Sequence, residues 1–464
     1  MRIRSKHFKT TFLLLGLLTG LAILILPPPP GLSPEGMKCL GVAVICFSLW
    51  VLQSIPLAAT SLLAIILLPT LNILGRTRVF SFFGNSAVFF LLGVFILSGA
   101  IIRTGLSKRL AFLFIKQFGK SPRGIVLGIT FSAAFFALFI PAHAVAAMLF
   151  PVVLEIANAL RIDKGKSPLG KSLFLALAWG AVVGGIGTYM GGARVPLAVE
   201  FLRETYGRSI GFLTWAAAAT PLAVILTIVV FVALVKTFPS EVKDITETKA
   251  FLEAEYKNMG KISWDELKTA IIVSSAIFVW ITGGNQFGLA VVSIAAAVCV
   301  FIFRIAKWNE VADYINWGVI VMYGGAIALG KALYETQSME WLVAKILGSA
   351  QISPLLLIAL LSLLSITLTE AISNAAAVVI LVPLSYGFVT QTGLSPEILT
   401  LVVTIPSGLA FCLPIGTPPN AIAYSAGYFQ VKDSLVLGLF LKIIAWILFM
   451  LTARFYWPLL KLYF

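Results

Sequence analysis

Two short strings bring neutral oxygens into otherwise apolar sequence: Thr369-Glu370-Ala371-Ile372-Ser373-Asn374 and Gly416-Thr417-Pro418-Pro419-Asn420. Hydroxyls, an amide carbonyl and unwound backbone carbonyls are the hard ligands an alkali cation takes. Being neutral, they hold a cation without a fixed buried anion, which is expensive in an apolar medium. The same breaks suit anions, because a half-helix N-terminus offers free N–H groups and a positive dipole. Pro418 and Pro419 fit such a start, where no N–H partner is required. Ser373 and Asn374 are also what a helix beginning there would use as caps; capping and ion binding are compatible roles.

A matching pair of breaks lies in the first half. Ser373 stands ten residues before Pro383 in ISNAAAVVILVP, and Pro141 stands ten before Pro151 in IPAHAVAAMLFP. Each is followed by a glycine-broken segment, GGIGTYMGGARVP at 184–196 and FCLPIGTPPNAIAY at 411–424. Paired breaks in two halves are the sequence pointer to a binding site at the membrane midplane. Arg194 would be a fixed cation there, able to hold a carboxylate or sulfate through two parallel hydrogen bonds. At ~4 Å and an effective dielectric of about 20, such a charge supplies about 4 kcal/mol of attraction before desolvation. It could instead lie at the membrane edge or pair with Glu200 or Glu204. His143 could bind an anion, carry a proton near neutral pH or hydrogen-bond a hairpin neighbour. Glu370 reads as a tip carboxylate paired with a basic group, with proton coupling as the alternative.

The elements that must position these residues follow from composition. Of 464 residues 59% are hydrophobic and 11% charged, with mean hydropathy +1.01; a soluble chain has about a quarter charged residues. Recurrent apolar stretches predict an all-α integral membrane protein of about 11 transmembrane helices in two inverted repeats, each with a re-entrant hairpin and a broken helix. The first half, 1–236, holds a hairpin near 122–160 and a broken helix near 172–207. A polar linker, 237–268, leads to a second half, 269–464, with a hairpin near 354–390 and a broken helix near 398–428. Leu106 to Phe118 reads as an interfacial helix. The basic N-terminus before an uncleaved first helix predicts a cytoplasmic N-terminus in the cell membrane. The net charge of +15 is placed in basic cytoplasmic loops, 103–123 and 161–171, and not in a nucleic-acid surface. Four cysteines without CxxC spacing give no disulfide framework or metal site.

The strings around Ser373 and Gly416, in that order and on this hydropathy pattern, resemble the Ser-Asn-Thr hairpin and Thr-Pro-Pro-Asn motifs of the divalent anion/sodium symporters (solute carrier family 13). The resemblance extends over nearly the whole chain through the order of segments. It implies a homodimer in the lipid bilayer, each subunit with a scaffold part and a transport part that moves like an elevator. It implies carriage of dicarboxylates, citrate or sulfate, usually with sodium. Carried over, Thr369, Ser373, Asn374 and Gly416 would form the second sodium site, and Ser373, Asn374, Thr417 and Pro418 would face the anion. The first half departs: Pro141-Ala142-His143 replaces Ser-Asn-Thr, and Gly191-Gly192-Ala193-Arg194-Val195 replaces Gly-Thr-Pro-Pro-Asn. A first sodium site near Gly191 thereby lacks its hairpin oxygens, and Arg194 with His143 stands in its place. The expectation is an anion carrier with one Na+ site, or a proton-coupled or sodium-independent permease. HExxH, GxSxG, paired intramembrane aspartates and Walker A do not occur, which speaks against a membrane-embedded enzyme.

Overall fold

The computed structural model describes residues 2–242, 244–347 and 352–462, with the side chains of 2–10, 285 and 347 outside that description. Among these residues the regular elements are helical. Seven helices are long and apolar enough to span a membrane, and eight shorter apolar helices of 10–17 residues accompany them. Val224, Ile228, Phe278, Val291, Val436 and Phe440 are exposed, an apolar surface suited to lipid and not to water. The basic side chains of 2–10, on which the N-terminal orientation rests, lie outside the described residues.

Serine followed by proline opens five helices, at Ser33, Ser121, Ser167, Ser353 and Ser395, and each serine Oγ accepts a backbone N–H from the first turn. Proline costs nothing at that first position because its N–H would be unpaired anyway. Ser121 and Ser353 start the two hairpins, Pro122–Ala137 with Ala142–Ala159 and Pro354–Leu368 with Asn374–Tyr386. Twenty residues separate Ser121 from the tip cap Pro141, and twenty separate Ser353 from the tip cap Ser373. Ser167 and Ser395 start the broken helices, Pro168–Gly184 then Arg194–Tyr206, and Pro396–Thr404 then Pro418–Ser425.

Some boundaries differ from those read in the sequence. The broken helix expected near 398–428 starts at Pro396 and first stops at Thr404, and Pro406–Gly408 forms a single 3-10 turn, because Pro406 has no N–H to continue the helix. The linker's last residues are already helix: Ser263 and Glu266 form a capping box that starts Trp264–Phe287. The linker helix Thr246–Asn258 packs on Leu106–Phe118, whose Ala111, Phe112 and Ile115 are buried while Lys108 is exposed. Arg103 pairs with Glu310 at 2.8 Å, Arg109 with Glu266 at 2.7 Å and Arg161 with Glu247 at 2.9 Å. The linker thus meets both basic stretches, through Glu266 and Glu247, while Arg103 is paired outside it.

Helices approach closely where side chains are missing. A Cβ on Gly184 would lie 2.0 Å from the Ala134 carbonyl oxygen, and one on Gly325 would lie 2.3 Å from that of Ser61. Such small-residue contacts are how membrane helices gain packing without a hydrophobic drive between them. The halves also interlock crosswise. Pro418–Ser425 packs on Ala142–Ala159 and Pro168–Gly184, while Arg194–Tyr206 packs on Asn374–Tyr386 and Pro396–Thr404. Both hairpin tips and both helix breaks converge as a result.

Candidate functional site

At the second tip, Ser373 has extended backbone and its Oγ accepts the Ala376 N–H at 3.2 Å. Its own hydroxyl proton remains free to donate. The buried Thr369 Oγ lies 2.6 Å from Asn374 Oδ1 and 2.6 Å from the Ser407 carbonyl oxygen. One hydroxyl has one proton, so three oxygens share a space that a single hydrogen bond cannot fully satisfy. Asn374 Oδ1 is engaged there, while its amide N–H₂ has no protein hydrogen bond among the described residues. Thr417 caps Pro418–Ser425 with no side-chain hydrogen bond, and its buried Oγ1 is unpartnered.

The irregular backbone at these breaks is satisfied in part by side chains, as buried backbone polar groups require. Glu370 is buried and accepts the N–H groups of Phe411, Cys412 and Leu413 at 2.9–3.1 Å, with Lys442 Nζ 3.4 Å away. The basic partner of Glu370 is thus Lys442, and the carboxylate braces the second break. Trp179 donates to the Phe411 carbonyl and Asn420 Nδ2 to those of Ala410 and Leu413. At the first break, Trp215 donates to Ile186, Thr220 to Gly187 and Tyr323 to Ala193.

The first tip is tied to the first break through backbone. The Ala142 N–H donates to the Gly191 carbonyl oxygen at 3.1 Å. Helix onset also shifts the correspondence between the breaks by one residue: Arg194 starts its helix as Pro418 does, which sets Gly192, not Gly191, opposite Gly416.

Arg194 is buried, and among the described residues neither Glu200 nor Glu204 is its partner. Glu200 pairs with Arg203 at 2.7 Å and accepts from Asn85 at 2.6 Å. Arg194 Nη2 donates to the Gly185 carbonyl at 2.7 Å, and its buried Nε has no partner. The guanidinium lies between the two breaks: a Cβ on Gly192 would meet Nη1 at 2.4 Å, and one on Gly408 would meet Nη2 at 2.3 Å. A cation at a helix N-terminus opposes the dipole, so local helix chemistry does not explain this residue.

A cavity of about 390 Å³ joins these groups. Its walls include Gly191 and Arg194 of the first break, His143 of the first tip, Ser373 and Asn374 of the second tip, and Gly416, Thr417 and Pro418. Thr369 stands behind it, buried against Asn374. A second cavity of about 660 Å³ shares Phe95, Pro141, His143, Asn316 and Pro418 with the first, so His143 and Asn316 sit where the two meet. Sequence reasoning did not single out Ser407, Asn316 or Asn420 as site residues. The breaker run Pro406-Ser407-Gly408 and an asparagine one residue before the apolar run from Trp317 were the available signals.

A model of the sodium:sulfate symporter transmembrane region matches residues 7–463. The chain is 28% identical over 474 residues to the sodium-dependent dicarboxylate transporter SdcS of Staphylococcus saprophyticus, covering 96% of this chain and 91% of that protein. It is 28% identical over 478 residues to SdcS of Staphylococcus aureus, with the same coverage of 96% and 91%. Among solved structures it is similar to MtrF of Neisseria gonorrhoeae, described with a class of antimetabolite efflux pumps: TM-score 0.56 at 13% identity, covering 96% of this chain and 94% of that one. That likeness is one of fold alone. Matched from its first helix to its last, the chain belongs to the sodium:sulfate symporter family and is a multi-pass membrane transporter, not an enzyme.

Proposed function

We propose that this chain is a sodium-coupled secondary transporter of small anions, with one sodium bound at the second hairpin tip and the anion held beside it. The observation that carries this reading is the cavity of about 390 Å³ in which both hairpin tips and both breaks meet, with Asn374 on its wall and the Thr369 and Ser407 oxygens packed behind that residue. The oxygens of Thr369, Ser373, Asn374 and Gly416, together with the Ser407 carbonyl, would hold Na+; neutral oxygens suit that ion. The Ser373 hydroxyl, the Asn374 amide and the Thr417 hydroxyl supply donors to an anionic head, beside the start of the Pro418 helix.

Arg194 takes the part of a first sodium. The first tip offers no side-chain oxygen at Pro141 or Ala142, whereas a permanent guanidinium sits between the breaks. Its charge contributes without loading from solution, so transport couples to one sodium. His143, at the junction of the two cavities, lines the anion's way in. The same reading has the hairpins and broken helices as paired inverted repeats that move against the remaining helices as an elevator, in a homodimer with a cytoplasmic N-terminus in the cell membrane.

The test is uptake into proteoliposomes of labelled succinate, sulfate and butane-1-sulfonate, with an inward sodium gradient and with choline in its place. Sodium-driven accumulation of any of them, lost in Asn374→Ala, supports the reading; accumulation of none overturns it.

A further inference from the structure

Three cations of the basic stretch 103–123 are spent on acids of the chain: Arg103 on Glu310, Lys108 on Glu255 and Arg109 on Glu266. Among the described residues, Lys116 and Lys120 of that stretch pair with no carboxylate, and neither does Lys249 of the linker helix. All three line one groove of about 450 Å³ between Leu106–Phe118 and the linker helix Thr246–Asn258. Glu253 is the carboxylate in that lining, so three ammonium groups against one acid leave an excess of two positive charges. Lys116 Nζ stands 4.9 Å from the centre of the Tyr256 ring, an attraction that positions the ammonium without neutralising it. Like charges held side by side repel, so packing alone does not account for their gathering here.

The surface beside the groove is apolar. Leu113 stands 42% exposed in the lining, and Phe131 of the neighbouring helix Pro122–Ala137 is 37% exposed. Phe131 meets the rings of Phe114 and Phe118 edge-on, with centroids 5.4 and 5.6 Å away. Leu106–Phe118 thus buries Ala111, Phe112 and Ile115 and turns Leu113, Lys116 and Gln117 outward, the mixed outer face of a helix lying in a membrane interface. A cationic groove continuous with an exposed apolar strip is complementary to an amphiphile with a negative head. A water-soluble anion would match the lysines and leave the strip bare.

We infer that this groove binds the phosphodiester head of an anionic phospholipid on Lys116, Lys120 and Lys249, with its acyl chains along Leu113 and Phe131. The bound lipid ties the linker helix to Leu106–Phe118 and offsets the repulsion among the three lysines. The groove shares no lining residue with the cavity between the hairpin tips, so it is a site apart from the one that holds the transported anion.

Native mass spectrometry of the purified chain in neutral detergent, offered equimolar phosphatidylglycerol and phosphatidylcholine with identical acyl chains, tests this. Phosphatidylglycerol is expected to be retained about tenfold over phosphatidylcholine. Lys116→Gln, Lys120→Gln and Lys249→Gln together should cut that preference about fivefold, while arginine at the same three positions should keep it. Lys164→Gln, Lys166→Gln and Lys261→Gln remove the same charge elsewhere and should leave it unchanged. No preference for phosphatidylglycerol, or equal loss in both glutamine triples, overturns the inference. Inorganic phosphate at matched ionic strength is the soluble arm, read by melting temperature. A rise as large as that given by phosphatidylglycerol means that a free phosphate fills the groove, and also overturns the lipid assignment.

Discussion

Thr369 Oγ1 and Asn374 Oδ1 lie 2.6 Å apart, and this contact fixes which face of the Asn374 amide meets the cavity. With Oδ1 turned to Thr369, whose hydroxyl also meets the Ser407 carbonyl, the proposed carrier uses the amide N–H₂ for the anion and its oxygen for sodium. In that proposal one residue links sodium and anion.

Thr369→Val keeps the shape of the side chain and removes the hydroxyl. The half-saturating sodium concentration for uptake should rise at least tenfold, or about 1.4 kcal/mol, with a smaller change in anion affinity at saturating sodium. The loss of one partner for two buried oxygens should cost about 1–3 kcal/mol of stability, visible as a lower melting temperature.

Glu370→Gln should destabilise the protein while leaving the ion ligands in place. It weakens the acceptor for the Phe411, Cys412 and Leu413 N–H groups and leaves Lys442 an unpaired buried charge, a change worth about 3–5 kcal/mol. Adding Lys442→Met should recover part of the lost melting temperature. No recovery would mean that the ion pair is not what the second break leans on.

Gly192→Ala places a methyl where Arg194 Nη1 lies, but only the end of a flexible side chain has to move. The variant should fold normally and lose affinity for anions at least fivefold. Arg194→Ala should lose uptake by a hundredfold or more, and normal uptake in it would remove Arg194 from the mechanism.

Gly184→Ala should be far worse for folding, because its methyl meets the Ala134 backbone. Forcing two packed helices apart costs about 1–3 kcal/mol or more. Gly84→Ala, with nothing within 4 Å, is the matched control and should melt as the parent does.

Much of this arrangement was legible in the sequence because proline, glycine and serine punctuate it. Ser-Asn at 373–374 and Gly-Thr-Pro-Pro at 416–419 stand out against leucine and valine, and the ten-residue spacing to Pro151 and Pro383 exposes the paired breaks. What stayed hidden depends on contacts between distant segments. Nothing local says that Thr369 reaches Ser407, that Glu370 gathers three N–H groups from 411–413, or that Gly408 makes room for Arg194. Arg194 was the hardest to place, since Glu200 and Glu204 follow on the same helix and are natural partners by spacing. The fold gives Glu200 to Arg203 and Asn85 instead. The short helices Arg76–Ser81 and Trp308–Ala312 were also missed, being too brief to show a period.

In the proposed mechanism one sodium enters with the anion while Arg194 supplies the second positive charge. Uptake of an accepted anion into proteoliposomes, measured against external sodium together with ²²Na⁺ entry, tests this most directly. Dependence on sodium with a Hill coefficient near 1 and about one ²²Na⁺ per anion is the predicted result. Uptake unaltered when choline replaces sodium, or a steep dependence with two or more sodium ions per anion, would contradict it.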